Sequence, residues 1–331
     1  MILIIGDTHF KRDNLQQCKQ HYNQIEQLLT SKNIQHVVHL GDAMHYHEKL
    51  YTECLEFTCS YFRMITTFAP LHILVGNHDM INNQVFCDST QNWASCCFAN
   101  EERIHVYAEP RKVKLSSINC LFVPYIPTGR FMEALQLIDL KGVDICFAHQ
   151  EFRGCKLQHD KISEFGDVVC ENFPQIISGH VHGYQKLNKI LYVGSAFEHQ
   201  FGASECYLHL MDYNLQIVEK IPSISDKKIQ IFVDNLQDLQ TLTLPEYKCK
   251  IKICCTMDKY TRWRKTEEAQ QLCSRHKIEF VQQQQQQQQQ DYCEQEQKLD
   301  DNKKTKTNLI ETWRRLCAEA NLDMTLLSLS N

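Results

Sequence analysis

Residues 73–80 read ILVGNHDM: an apolar run with β propensity, a glycine, then an amide, an imidazole and a carboxylate in succession. The apolar part has the pattern of a buried strand. Nothing in packing calls for three adjacent polar groups at its end, because buried polar groups cost free energy unless they are partnered. The same arrangement recurs along the chain. Asp7 and His9 follow the run Met1–Ile5 in IIGDTH, and Asp42 and His45 follow His36–Leu40 in HLGDAMH. His149 follows Asp144–Ala148 in CFAHQ, and His180 and His182 follow Gln175–Ser178 in ISGHVHG. Asn77 and His78 follow Leu71–Val75, the run that opens this reading.

Two further short runs, Asn119–Val123 and Ile190–Val193, complete the predicted strands. Between the first three lie segments with helical spacing, one carrying Leu15, Cys18, Tyr22, Ile25 and Leu29 on a single face. The other carries Leu50, Cys54, Phe57, Tyr61, Ile65 and Phe68. Strands alternating with helices predict an α/β fold. In open sheets of that class, ligands bind beyond the carboxyl ends of the strands, so five strand ends can converge on one site.

Composition bounds the rest. A chain of 331 residues with 43% hydrophobic content supports one large domain and a small one. No run of eighteen apolar residues and no basic segment before the first apolar stretch appear, so neither a membrane span nor a secretion signal is expected. The 17 cysteines are scattered without a CxxC pair, which predicts reduced thiols and an intracellular, reducing compartment, nucleus or cytoplasm. Net charge is −5, so any grip on a polyanion must be local.

The convergent residues suit that need. Two carboxylates, one amide and several imidazoles form a nitrogen and oxygen ligand field without thiolate, which fits Mn, Fe or Zn at five or six coordination. With Asp42 bridging, two dications would stand roughly 3.5–4 Å apart, the spacing used for in-line displacement at phosphorus. Two dications, two carboxylates and a hydroxide sum to about +1, which attracts a phosphate to an otherwise acidic molecule.

GDTH, GDAMH, GNHD, AHQEFRG and SGHVHG, taken together, resemble the calcineurin-like metallophosphoesterase superfamily over approximately residues 1–215. Within it the chain most resembles the SbcD-type nuclease subunits of double-strand-break repair, in the compact form of phages and large DNA viruses. His45 stands three residues after Asp42 as in that branch, and YVGSAFEHQFGASE (192–205) resembles its GS…FG segment. A small C-terminal domain follows where other branches place an autoinhibitory helix. GNHD in place of GNHE, and no arginine soon after the second motif, argue against the serine/threonine phosphatases.

The resemblance implies a four-layer α/β/β/α sandwich at 1–225 with a small α+β capping domain at 226–281. It also implies two divalent metal ions, expected to be Mn²⁺. Asp7, His9 and His182 would hold the first, Asn77, His149 and His180 the second, with Asp42 between them. His78 would contact the scissile phosphate and assist the leaving oxygen, and His45 would place the strand or the phosphate. Asp79 is read as a partner fixing an imidazole or as a structural hydrogen bond at the strand end.

Beyond residue 225, IQIFVDN, KCKIKICCT and KIEFV read as half-exposed strands, with RWRKTEEAQQLCSRH as a helix between the last two. Charge from 226 onward is 17 basic minus 16 acidic residues. The basic ones include Lys248, Lys250, Lys252, Lys259, Arg262, Arg264 and Lys265, interleaved with Tyr260 and Trp263. That cluster is read either as a track for a DNA backbone with aromatic stacking or as a solvated face. The glutamine tract Gln282–Gln290, with the charged stretch to Lys306, reads as a linker. An amphipathic helix with Leu309, Trp313, Leu316 and Ala320 at 307–331 then either packs back or docks a partner. In the resembling family the partner is an SbcC-type coiled-coil ATPase, and a homodimer is usual.

Three activities remain open to the sequence. One is an Mn-dependent exonuclease or endonuclease acting on DNA ends and hairpins. Another is a small-molecule or cyclic-nucleotide phosphodiesterase, and the last is a DNA-end-binding scaffold subunit. An intact His78 favours the first, since a retired site has no use for a non-ligand histidine there.

Overall fold

The computed structural model describes residues 1–47, 49–157, 161–198, 205–224, 230–233, 236, 239 and 250–282. The chain divides into two compact units, the first Met1–Ile229 and the second beginning at Gln230.

In the first unit the strands and helices run β1 (Ile2–Ile5), α1 (Leu15–Ser31), β2 (His36–His39), α2 (Thr52–Phe68), β3 (Leu71–Leu74), α3 (Trp93–Phe98) and β4 (Ile104–Tyr107). They continue as β5 (Arg111–Leu115), β6 (Ile118–Val123), α4 (Phe131–Ala134), β7 (Ile145–His149), β8 (Gln175–Gly179), β9 (Gln185–Leu187), β10 (Ile190–Tyr192), β11 (Tyr207–Met211) and β12 (Ile217–Pro222). One sheet has the order β12-β11-β1-β2-β3-β4, the other β5-β6-β7-β8-β10-β9. β1 to β4 are parallel, as are β6, β7, β8 and β10, and antiparallel strands form the remaining edges.

Strand alternation explains the layers. Ile2, Ile4, Val38, Leu40 and Leu74 face Phe122, Ile145, Phe147, Ile177 and Val193 of the other sheet, forming a core between the two. Leu3, Ile5, Val37 and Ile73 point the other way, onto Cys18, Ile25 and Leu29 of α1 and Cys54, Tyr61 and Ile65 of α2. The apolar face of α2 is buried in this core, with Leu50 and Phe68 at either end exposed. On the outer face of the second sheet, Leu121, Val123, Cys146 and Ile176 are covered by Phe131, Phe152 and Phe173. That fourth layer is built from the short α4 and irregular chain rather than from long helices.

The second unit holds β13 (Gln230–Val233), β14 (Lys250–Cys255), α5 (Met257–Trp263), α6 (Glu267–Arg275) and β15 (Lys277–Gln282), with the strands parallel in the order β13-β14-β15. The single helix expected over 262–276 is instead two. Thr266 interrupts it by capping α6, its hydroxyl accepting from the Ala269 amide at 3.2 Å. Trp263 closes α5 by packing into a core with Val233, Ile251, Ile253 and Ala269.

No disulfide joins any of the described cysteines. Among the described residues no helix is long and apolar enough to cross a membrane. Lys248, residues 199–204 of the GS…FG segment, the linker beyond Gln282 and the helix expected at 307–331 lie outside the described residues.

Candidate metal centre

The parallel strands deliver their polar ends to one place. Among the described residues, three groups of side chains have ligand atoms within 4.8 Å of one another: Asp7–His9–His182, Asp42–His149–His180 and His9–His45–His78. Asn77, the amide of ILVGNHDM, joins the second group, its Oδ1 being 3.1 Å from His149 Nε2 and 2.9 Å from His180 Nδ1. Asp42 lies between the first two groups, one oxygen 3.3 Å from His149 Nε2 and the other 3.6 Å from His9 Nε2.

The backbone is bent to achieve this. His9, Asp42 and His180 have φ of 41°, 52° and 72°, the left-handed region that non-glycine residues occupy at a cost of about 1–3 kcal/mol each. Two glycines are required by close approach. A Cβ on Gly76 would stand 2.2 Å from Asp42 Oδ1, and one on Gly179 would stand 2.6 Å from Asp7 Oδ1. The glycine of each motif thus makes room for the carboxylate of another.

Hydrogen bonds then fix which lone pairs face inward. His149 donates Nδ1–H to the Leu40 carbonyl at 2.7 Å, leaving Nε2 toward Asn77 and Asp42. The His180 amide donates to both oxygens of Asp7, and the His78 amide donates to Asp42 Oδ1 at 2.8 Å. His9 Nε2 and His182 Nε2 face each other at 2.9 Å, and the Asn77 oxygen faces two ring nitrogens. So many acceptors turned toward one another fit cations between them better than hydrogen bonds among themselves.

The electrostatics agree. Burial pushes Asp7 up to about 8, with His149 opposing and Asp42 reinforcing the rise. Burial also disfavours the charged forms of Asp42 and His149, but their mutual attraction overrides it. Asp42 stays well below the usual carboxylate range and His149 rises to about 9. Two carboxylates this deeply buried, with Asp7 fully covered and Asp42 2% exposed, need positive charge beside them.

A second layer of imidazoles flanks this centre. The His78 ring lies 4.8 Å from that of His9, and its Nδ1–H donates to the His45 carbonyl at 2.6 Å. The rings of His45 and His78 are nearly parallel, 5.6 Å apart and 10° inclined. On His78 also stacks His47, at 4.2 Å and 26°, a residue the sequence reading passed over. Its signal was present as the second alternate histidine in DAMHYH. Glu151 was missed as well. Its Oε2 lies 3.9 Å from His180 Nε2, the ring nitrogen turned away from Asn77, and its other oxygen accepts from Ser163 at 2.5 Å.

Asp79 does not orient an imidazole. Its carboxylate accepts from the amides of Ala43 at 3.1 Å and Gly76 at 3.0 Å and from the Trp93 indole at 2.9 Å. It pins the loop bearing Asp42 to the loop bearing Asn77.

The basic cluster of the second unit is mixed. Lys259, Arg262, Arg264 and Lys265 are exposed, but Arg262 pairs with Asp258 at 2.5 Å and Lys250 with Glu279 at 2.8 Å. Lys252 is half-buried on β14. The interleaved aromatics are not a stacking surface. Trp263 is buried, and Tyr260 packs on Phe280 at 4.8 Å, because this small unit needs both rings for its core.

Comparison with known proteins gives this geometry a family. The calcineurin-like phosphoesterase family model matches residues 1–184. The chain is 37% identical over 265 residues to "Putative phosphoesterase 244L" of Invertebrate iridescent virus 6, covering 77% of this chain and 93% of that protein. It is 31% identical over 289 residues to "Putative phosphoesterase 078R" of Invertebrate iridescent virus 3, covering 82% and 81% respectively. That family works with divalent metals, which the donor set just described is suited to hold. The chain belongs to the calcineurin-like phosphoesterase family, and the chemistry it shares with that family is metal-dependent phosphoester hydrolysis.

Proposed function

We propose that this phosphoesterase is a manganese-dependent DNA nuclease that cuts phosphodiester bonds at duplex ends or hairpins during double-strand-break repair or recombination. The observation that carries the reading is the stack of His45, His78 and His47 beside the ligand cluster. Asp7, His9 and His182 would hold one ion, Asn77, His149 and His180 the other, with Asp42 shared. Bound there, the ions supply Lewis-acid stabilisation of a phosphate and a nucleophile at neutral pH. A donor set of nitrogen and oxygen without thiolate is compatible with manganese, as with iron or zinc, and the choice of manganese comes from the resemblance of the motifs.

His78 has a different task. With Nδ1 tied to the His45 carbonyl, Nε2 is the ring atom left for substrate, suited to give charge or a proton to the departing oxygen. The exposed cations Lys259, Arg262, Arg264 and Lys265 support contact with a polyanion. An SbcC-type ATPase as partner, and a homodimer, belong to the same reading through the resemblance of the motifs.

Rates on a linear duplex, a DNA hairpin, a cyclic nucleotide and bis(p-nitrophenyl) phosphate, all in Mn²⁺, test it. Preference for the two DNA substrates in kcat/KM is expected. Turnover of the small diesters alone replaces it with the phosphodiesterase reading, and end binding without cleavage replaces it with a scaffold.

A further inference from the structure

Lys220, on β12 opposite His209 of β11, holds its ammonium 4.2 Å above the Tyr184 ring and 4.9 Å above that of Tyr207. No carboxylate neutralises it among the described residues. The nearby acids are otherwise engaged, Glu219 with Lys32 at 2.8 Å and Glu205 with the Tyr207 hydroxyl. A lysine on an edge strand commonly serves only to discourage pairing with other strands. Such a side chain extends into water, whereas this one is held against two rings by cation–π contact, which restricts its conformers.

The location ties the group to the metal centre. Tyr184 comes two residues after His182. Its amide nitrogen is 3.1 Å from where a Gly194 Cβ would stand, and the Gly194 carbonyl oxygen is 1.9 Å from where a Gly6 Cβ would stand. Gly6 immediately precedes Asp7. From the other side, β11, which carries Tyr207 and His209, pairs with β1, Ile4 standing opposite His209. Behind Tyr184 lies His209, parallel to it at 8° and 5.6 Å, fully buried and with neither ring nitrogen hydrogen-bonded among the described residues. A buried imidazole left unpartnered is costly, and here its flat face backs the tyrosine.

We infer that Lys220, clamped by Tyr184 and Tyr207, contacts the sugar-phosphate backbone of the DNA strand entering the metal centre. The inference rests on the nuclease reading above. One phosphate neutralised on a single strand contributes about 0.7 to the slope of log binding constant against log salt.

The test is binding of a labelled single-stranded oligonucleotide to the full chain in EDTA, at NaCl concentrations from low to physiological, for wild type and for Lys220→Ala, Lys220→Arg, Tyr184→Phe and Tyr184→Ala. Lys220→Ala is expected to bind more weakly at low salt, with a slope shallower by about 0.7. Lys220→Arg and Tyr184→Phe should keep the wild-type slope, and Tyr184→Ala should fall toward Lys220→Ala as the clamp is lost. Thermal melting by circular dichroism identifies any variant that has merely lost its fold, and the arginine variant guards against that outcome. Wild-type affinity and slope in a folded Lys220→Ala would overturn the inference alone. A wild-type protein that neither binds nor cleaves DNA would overturn the nuclease reading and this inference with it.

Discussion

The carbonyl of His45 accepts the Nδ1 proton of His78 at 2.6 Å, so the residue three positions after Asp42 fixes the tautomer of the residue next to Asn77. The orientation comes from main chain, while His47 supplies the supporting ring. His78→Ala should lower kcat by roughly 10²- to 10⁴-fold with metal content unchanged. His47→Ala removes the ring stacked on His78, a contact worth about 0.5–1.5 kcal/mol, so a loss smaller than that of His78→Ala, about tenfold, is expected. Steady-state kinetics with metal analysis of the same preparations check both. Equal losses in the two variants would deny His78 its separate role.

Glu151 lies behind His180 on the side away from Asn77. Partners of this kind orient a metal-binding imidazole and typically alter affinity by about 10- to 100-fold. Glu151→Gln should therefore weaken Mn²⁺ binding at one of two sites and leave the other, as read by calorimetry. Unchanged affinity at both sites would reduce the Glu151 contact to a surface feature.

Asp79 gathers two backbone amides and an indole in a buried position. Its loss leaves those donors unsatisfied, at about 1–3 kcal/mol for each that water cannot reach. Asp79→Ala should cost about 3 kcal/mol in urea unfolding and loosen both ligand loops together. A change below about 1 kcal/mol would mean the loops are held elsewhere.

His21 is fully buried, with Nε2 3.0 Å from the Tyr61 hydroxyl, and burial lowers it from its ordinary value to about 3. The unfolded chain then binds the extra proton between pH 3 and about 6.5. Stability from this group is present above pH 6.5 and lost as pH falls, by about 2 kcal/mol at pH 5. His39 and His72, lowered to about 3, and His209, lowered to about 4, act in the same direction. Urea unfolding of metal-free protein at pH 7 and pH 5 should show a drop that is smaller by about 2 kcal/mol in His21→Phe. An identical drop in the variant would show that His21 is solvated.

What the sequence disclosed followed from periodicity and from local motifs. Apolar runs such as Leu71–Leu74 are buried on both faces, and a following glycine with polar groups cannot belong to the core, so the strand ends and the centre were both legible. Glu151 and His47 were not, because their roles depend on which ring nitrogen faces which neighbour. Asp79 could be placed at a strand end but its partners could not, since Ala43 and Trp93 come from separate segments. Tyr260 and Trp263 looked like a stacking pair beside cations, yet a unit with so few apolar residues uses them as core. The break at Thr266 was readable as a helix cap within RWRKTEEAQQ and was overlooked because the flanking residues all favour helix.

The most direct measurement is titration of Mn²⁺ into metal-free protein, followed in parallel by calorimetry and by release of label from a blunt linear duplex. Two ions per chain, with cleavage rising as the second site fills, is the predicted result. Binding of a single ion, or two bound ions with intact DNA, would contradict the account.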